Sequence, residues 1–166
     1  GLTGMKYTLE IYNFDQNGRS GKTCKIQLKE FPFLHDFAVT ENYAVILVNS
    51  VTFDIMGAVM GFRSLSDSAE YHESKNIAGY LVDLRSMRVV KRFEMAPGLI
   101  IHFCNAFERG DEIITDFTHA TDNSDPEGLN DVFQLKAIKG VPLLRCIINK
   151  KTAKFKTEII GSPPAG

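Results

Sequence analysis

A β-hairpin that begins with a histidine occurs twice in the chain, and this repeat restricts the fold more than any other feature. Each copy consists of an alternating apolar strand, a polar turn and an apolar return strand, over residues 33–48 and 99–117. The two histidines, His35 and His102, are 67 positions apart and stand at the same point of their hairpins. Because side chains alternate along a strand, each histidine takes a position at which a core residue is expected.

Three hairpins without a histidine surround these copies, and a proline-containing link precedes each histidine hairpin. The predicted strands cover residues 6–12, 23–29, 33–39, 43–48, 79–85, 88–95, 99–107, 112–117, 144–149 and 153–160. Four antiparallel strands that recur with a period near 67 residues are typical of a β-propeller with decorated loops.

We therefore predict an all-β chain that forms part of a β-propeller. Residues 33–95 and 98–160 are expected to form two four-stranded antiparallel blades, and residues 5–29 the outer hairpin of a preceding blade. A propeller needs at least about four blades to close. Residues 1–166 are therefore interpreted as a fragment of a longer chain, cut at a blade boundary.

Two insertions interrupt the pattern of hairpins. Residues 50–76 are long for a loop, so we expect this segment to be functional or partly helical. Residues 118–129 form a second, polar insertion, in which residues 122–128 resemble a calcium-binding loop. Pro126 occupies a ligand position there and the spacing ends early, so we reject a calcium site.

Charge and composition disfavour two classes of function. The net charge is −1, and lysine and arginine form no long basic block, so nucleic-acid binding is not expected. No apolar run approaches the roughly 18–20 residues of a membrane-spanning helix. The odd number of cysteines, Cys24, Cys104 and Cys146, shows no CxxC spacing and predicts free thiols in a reducing compartment.

Two histidines at the start of neighbouring inner strands would both point toward the propeller axis. Imidazole is a suitable ligand for iron, zinc, copper or nickel. The alternative is that His35 and His102 are buried core histidines with hydrogen-bond partners. A histidine replaces the expected core residue at the same place in both hairpins, and this repetition favours the metal site.

The sequence around both histidines resembles that of a known family. Residues 35–43, HDFAVTENY, closely resemble the second-histidine motif of the carotenoid cleavage oxygenases, which include lignostilbene dioxygenases and retinoid isomerases. Residues 102–112, HFCNAFERGDE, resemble the third-histidine motif, His-x-x-Asn-Ala-x-Glu-x-Gly-Asp-Glu. The resemblance extends over residues 7–160, and the order and separation of the two motifs also fit.

This resemblance implies a seven-bladed propeller with a non-haem Fe(II) on its axis, held by four histidines and no carboxylate. By motif, His35 and His102 would be two of the four ligands, while the other two and the glutamates that support them would lie outside this chain. His72 and His119 match no ligand motif and are expected to be surface or loop residues. Members of the family use Fe(II) and O₂ to cleave a conjugated double bond of a carotenoid, apocarotenoid or stilbene into two carbonyl products.

The expected partners and location follow from the same resemblance. The partners are a lipophilic carotenoid or stilbene substrate and O₂, and the location is the cytoplasm or a plastid, peripheral to a membrane. The apolar segment 56–62 is either a membrane-facing or substrate-entrance patch or an ordinarily packed loop. A fragment with bare blade faces is expected to self-associate. The alternative function is a metal-free propeller piece that serves in binding or assembly.

The remaining polar residues of the two motifs are interpreted as structural. Asp36 points away from the preceding histidine on the predicted strand, and Glu41 and Glu108 lie in the predicted turns. Asn42 and Asn105 suit hydrogen bonding at a turn and at a strand end.

Overall fold

Antiparallel β-strands make up nearly all the regular structure of the computed structural model, which describes residues 6–64, 66–120 and 141–161. In chain order the strands are β1 (Tyr7–Phe14), β2 (Ser20–Leu28), β3 (Ala38–Val39), β4 (Tyr43–Val48), β5 (Val51–Phe53), β6 (Ala69–Tyr71), β7 (Ile77–Asp83), β8 (Arg88–Met95), β9 (Phe103–Arg109), β10 (Glu112–Thr118), β11 (Leu143–Asn149) and β12 (Phe155–Gly161). The helix α1 (Ile55–Val59) and a short 3-10 helix (Ser66–Ser68) lie between β5 and β6. Within the three described ranges, no helix is long and apolar enough to cross a membrane.

In the described part of the chain, the strands form two four-stranded antiparallel sheets, in the orders β3-β4-β7-β8 and β9-β10-β11-β12. β1 pairs with β2 and β5 pairs with β6, each as a separate antiparallel pair. The inner strands β3 and β9 lie in contact, so the two large sheets meet at their inner edges. The predicted all-β fold with two four-stranded sheets is thereby confirmed, whereas the assignment of β1 and β2 to a preceding blade stays a prediction.

Strand β4 is buried on both faces and joins two hydrophobic clusters. Val45 and Leu47 pack with residues of the second large sheet, among them Phe117. Ala44 and Ile46 face the opposite way and pack with the β1–β2 hairpin. Because side chains alternate along a strand, this apolar run produces a stack of three layers: the hairpin, the first large sheet and the second large sheet. The stack fixes the position of β3 relative to β9.

Both histidine-bearing strands begin later than predicted. The predicted strand 33–39 is a strand only at β3, and the predicted strand 99–107 begins only with β9, so the prediction is wrong for the first residues of each. Pro32 has no N–H to donate to a sheet. Beyond it, Phe33, Ile100 and Phe103 bond through their backbone to side chains. The carbonyl oxygen of His102 accepts a hydrogen bond from the N–H of Thr118 in β10 at 3.1 Å. His35 therefore lies three residues before β3, and His102 lies directly before β9.

The first insertion is partly helical, which confirms one of the two expectations for residues 50–76. Asp54 begins the helix α1, and its Oδ1 accepts a hydrogen bond from the N–H of Gly57 at 2.9 Å. Most of the second predicted insertion, with the calcium-like segment 122–128, lies outside the described residues.

Candidate metal centre

The two predicted site residues, His35 and His102, lie next to each other where the inner edges of the sheets meet. Their ring centroids are 5.1 Å apart and the ring planes are nearly perpendicular, at 84°. Both residues are exposed, and no described residue hydrogen-bonds to either ring. Within this chain, neither histidine is therefore a buried core residue with a hydrogen-bond partner.

The separation of the rings fits two ligands of one metal ion. Two imidazoles that bind one ion through bonds of about 2.1 Å, at roughly a right angle, have ring centroids about 4.5–5 Å apart. Imidazole nitrogens suit iron as well as zinc, copper and nickel. Among the described residues, no group of three or more histidine, cysteine, aspartate or glutamate side chains could hold an ion. The pair can thus supply two ligands, and its role as a metal site stays a prediction.

A largely buried carboxylate fastens the two inner hairpins together at the turn of the first. Glu108, which lies in β9 and not in the predicted turn, accepts hydrogen bonds at Oε1 from Thr40 Oγ1 at 2.8 Å and Asn42 N at 2.9 Å. Its Oε2 lies 3.4 Å from Lys150 Nζ. Burial alone would raise the pKa of Glu108, but these hydrogen bonds outweigh burial and hold the pKa below its ordinary value. Glu41, in contrast, is exposed in the turn.

Replacing Glu108 by glutamine is expected to lower the free energy of unfolding by about 1–2 kcal/mol at neutral pH, because several hydrogen bonds to one charged, partly buried acceptor are weakened. The pKa of Glu108 in the folded chain lies below the ordinary value of 4.5. Its contribution is therefore fully present above that pH and is lost as the pH falls through the folded-state pKa. Urea unfolding at neutral pH and in acid should show a stability difference that shrinks in acid.

Glu112→Gln is the matched control for this measurement, since Glu112 lies in the same hairpin but forms an exposed ion pair with Arg109. Exposed pairs of this kind contribute at most about 1 kcal/mol, and often nothing measurable. Equal losses in the two variants, or a Glu108→Gln difference that does not change with pH, would contradict the role assigned to Glu108.

The other two histidines do not join the pair. His119 lies in a loop directly after β10, as one of the two expectations had it, but it is only 5% exposed, so it is not a surface residue. After β10 the chain still pairs, through backbone hydrogen bonds between Ala120 and Leu99. This pairing places the His119 ring against Gly98. Burial lowers the pKa of His119, which favours its neutral form. His72 lies in a loop and is half-buried, with its Nε2 2.6 Å from Thr52 Oγ1.

Sequence reasoning missed Asn49, which directly follows β4 and is 1% exposed. Its side chain hydrogen-bonds to the backbone of Phe33 and Ile100, each two residues before a histidine. The signal in the sequence was a polar residue at the end of a six-residue apolar strand. That signal is equally typical of an ordinary turn.

Comparison with protein families and curated proteins gives consistent matches. The model of the RPE65 family, described as retinal pigment epithelial membrane protein, matches residues 1–158. The chain is 31% identical over 114 residues to the apocarotenoid-15,15'-oxygenase of Synechocystis sp., a match that covers 69% of this chain and 23% of that protein. It is 24% identical over 139 residues to the carotenoid isomerooxygenase of Drosophila melanogaster, covering 80% of this chain and 22% of that protein. The chain thus spans less than a quarter of the length of these relatives.

Solved structures resemble the chain over most of its length. The crystal structure of cobalt-substituted Synechocystis ACO, an apocarotenoid oxygenase, has a TM-score of 0.77 at 25% identity and covers 94% of this chain, which spans 33% of that one. An ACO/RPE65 chimera has a TM-score of 0.74 at 25% identity and covers 95% of this chain, again 33% of the other. The predicted fold class, an all-β part of a β-propeller with two four-stranded antiparallel blades, is confirmed by these likenesses together with the two sheets.

Proposed function

Because this chain belongs to the carotenoid cleavage oxygenase family, we propose that it is part of a non-haem Fe(II) dioxygenase. The whole protein, by which we mean the longer chain that would include the remaining blades, would cleave a conjugated double bond of a carotenoid, apocarotenoid or stilbene. The observation that carries this proposal is the exposed pair of imidazoles, His35 and His102, with centroids 5.1 Å apart.

His35 and His102 would hold the iron together with two histidines from the rest of the whole protein. Their rings fit this role because they lie edge to face at a suitable distance and keep their nitrogens free of hydrogen bonds to described residues. Bound Fe(II) would supply the activation of O₂, whose two atoms end on the two carbons of the broken double bond as carbonyl oxygens.

Apolar side chains next to the pair suit a site from which water is excluded. Phe37 and Val39, two and four residues after His35, are 43% and 50% exposed, whereas Ala38 between them is buried. In the whole protein they would surround the metal with apolar surface. Such surroundings strengthen the electrostatic interactions of a metal centre and suit a lipophilic substrate.

The test is to purify the whole protein without oxygen, measure its iron content and then supply O₂ with carotenoid, apocarotenoid or stilbene substrates. We expect stoichiometric iron and pairs of carbonyl products, with both oxygen atoms derived from isotopically labelled O₂. A folded whole protein that holds no iron and cleaves none of these substrates would favour the alternative function, a metal-free propeller that serves in binding or assembly.

We further propose that the segment around α1 contacts a membrane surface, in the cytoplasm or a plastid. Val59, Met60 and Phe62 are 76%, 61% and 76% exposed, so three large apolar side chains of one short segment lie in water. Clustered exposed apolar groups commonly mark an interaction site. A membrane is also the place where a lipophilic substrate would be found.

The double substitution Val59→Ser and Phe62→Ser is expected to weaken binding of the whole protein to phosphatidylcholine vesicles by about tenfold or more. Burial of one such side chain contributes roughly 1.5–3 kcal/mol, and each tenfold step in affinity corresponds to about 1.4 kcal/mol. Vesicle flotation measures the bound fraction. Val90→Ser is the control, because Val90 is 43% exposed on β8, outside this segment. Equal binding by the double variant and the unchanged protein would exclude the proposed contact.

A further inference from the structure

A single buried amide connects the segments that precede the two histidines. Asn49 Nδ2 donates to the carbonyl oxygen of Ile100 at 2.8 Å and to that of Phe33 at 3.3 Å. Asn49 Oδ1 accepts a hydrogen bond from the N–H of Ile100 at 2.8 Å. Phe33 and Ile100 each lie two residues before a histidine, so both donor directions of the amide are used on the backbone that leads into His35 and His102.

These contacts take the place of strand pairing. Neither Phe33 nor Ile100 lies in a strand, and Ile100 is buried, so its peptide groups need partners from outside a sheet. The side-chain amide of Asn49 offers a donor and an acceptor side by side, as a peptide group does. Because Asn49 directly follows β4, which is packed on both faces, the amide is held by the most constrained strand of the first sheet.

A second side chain connects the same two segments beside the histidines themselves. Asp36 Oδ1 accepts a hydrogen bond from the N–H of Phe37 at 2.8 Å, and its Oδ2 accepts one from the N–H of Phe103 at 2.9 Å. Asp36 is the neighbour of His35, and Phe103 is the neighbour of His102. The carboxylate of the residue next to His35 therefore bonds to the backbone of the residue next to His102, across the two sheets.

We propose that Asn49 and Asp36 are positioning residues that set the separation of His35 and His102 before a metal ion binds. Each acts through the backbone next to a ring, since the rings themselves have no hydrogen bonds to described residues. The amide of Asn49 holds the backbone two residues before each histidine, at Phe33 and Ile100. The carboxylate of Asp36 holds Phe103, the residue directly after His102. The inference rests on the proposed function only for its metal, because the spacing is a property of the metal-free chain.

The first test measures the histidine pair in the metal-free 166-residue chain. Nuclear Overhauser effects between the ring protons of His35 and His102 report the contact directly. Asn49→Leu removes all three hydrogen bonds of the amide at similar side-chain size. We expect it to abolish the nuclear Overhauser effect between the two histidine rings. Asp36→Asn keeps the shape but removes one of the two acceptors, and we expect it to weaken the effect.

Thr115→Val is the matched control. Thr115 is fully buried, and its Oγ1 donates to the carbonyl oxygen of Asn105 at 3.2 Å, so the bond lies within the second sheet. Its removal should leave the effect between the rings unchanged. If Asn49→Leu does not fold, as judged from the dispersion of its amide signals, Asn49→Ser and Asp36→Asn decide the same question.

Three outcomes of this test would overturn the proposal. The first is the absence of the effect between the rings in the unchanged chain. The second is its survival at full strength in the folded Asn49 and Asp36 variants. The third is an equal loss in Thr115→Val, which would mean that any lost buried hydrogen bond disturbs the pair.

Titration of the whole protein with Co(II) separates this inference from the proposed function. Cobalt is a suitable probe because a relative has been crystallised in cobalt-substituted form. We expect Asn49→Leu and Asp36→Asn to weaken Co(II) binding by about 10- to 100-fold, the usual cost of losing support for a metal ligand. Thr115→Val should bind as the unchanged protein does.

The nuclear Overhauser effect and the Co(II) affinity test the positioning role and the metal centre separately. If the unchanged whole protein binds no Co(II), the metal centre is refuted, while the proton contacts still decide whether Asn49 and Asp36 set the spacing. If Co(II) binds equally tightly with and without the two side chains, the metal centre stands and the positioning role is refuted.

Discussion

Replacing His35 or His102 by alanine in the whole protein is expected to abolish iron retention and to lower the rate of substrate cleavage by more than about 100-fold. Loss of support for a metal ligand typically costs about 10- to 100-fold in affinity or activity, and loss of the ligand itself exceeds this. In the metal-free 166-residue chain each ring is exposed and has no hydrogen bond to a described residue. Its removal from that chain should therefore change the free energy of unfolding by less than about 0.5 kcal/mol.

Iron content after gel filtration and product formation by chromatography measure these losses in the whole protein. Urea unfolding of the metal-free 166-residue chain measures the change in stability. His72→Ala is the control, because His72 bonds to Thr52 and does not join the pair. It should keep both iron and activity. Retention of iron by either ligand variant, or an equal loss of iron in the control, would contradict the assignment of His35 and His102 as ligands.

The 166-residue chain alone is expected to bind Fe(II) weakly and to show no cleavage activity. The pair supplies two imidazoles, and the described residues offer no group of three or more side chains that could hold an ion. Water would have to complete the coordination, and an ion held so loosely is lost to chelators and open to oxidation. Iron retained after treatment with a chelator, and products formed from added carotenoid, are the two quantities to measure. Stoichiometric, chelator-resistant iron or any cleavage by this chain would contradict the prediction.

The isolated chain should also self-associate in the same preparation. Ile159 and Ile160 on β12 are 66% and 41% exposed, and Phe14 at the end of β1 is 62% exposed. Apolar surface of this kind usually finds a partner. Sedimentation velocity should therefore show species larger than one chain, and a purely monomeric chain at high concentration would contradict this expectation.

Strands were predictable from the sequence where a run of suitable residues ends at a turn. β4 and β8 have the predicted bounds, Tyr43–Val48 and Arg88–Met95, because the sequence shows a turn directly before each of them. The segment 33–37 alternates as a strand does, yet it is not a strand. Periodicity reports which side chains share a face, but it does not report whether the peptide groups have a neighbouring strand to pair with.

The histidine pair was predictable because the repeat placed His35 and His102 at equivalent positions. The support of the pair was not predictable, since Asn49 contacts Ile100, a residue 51 positions away, and no local pattern shows such a contact. The burial of His119 was missed for a similar reason. It depends on pairing that continues after β10, which the polar sequence that follows did not indicate.

The bonds that tie the two histidine segments together also determine when the site can form. The contacts of Asn49 with Ile100 and of Asp36 with Phe103 span 51 and 67 positions of the sequence. Contacts of such separation require closure of a long loop and form slowly, whereas the β7–β8 hairpin needs only neighbouring residues. A chain emerging from the ribosome can thus complete that hairpin while His35 still has no counterpart. We therefore expect Asn49 and Asp36 to be among the last residues to find their partners, so that a metal ion would meet the finished pair only in chains whose two sheets have already docked.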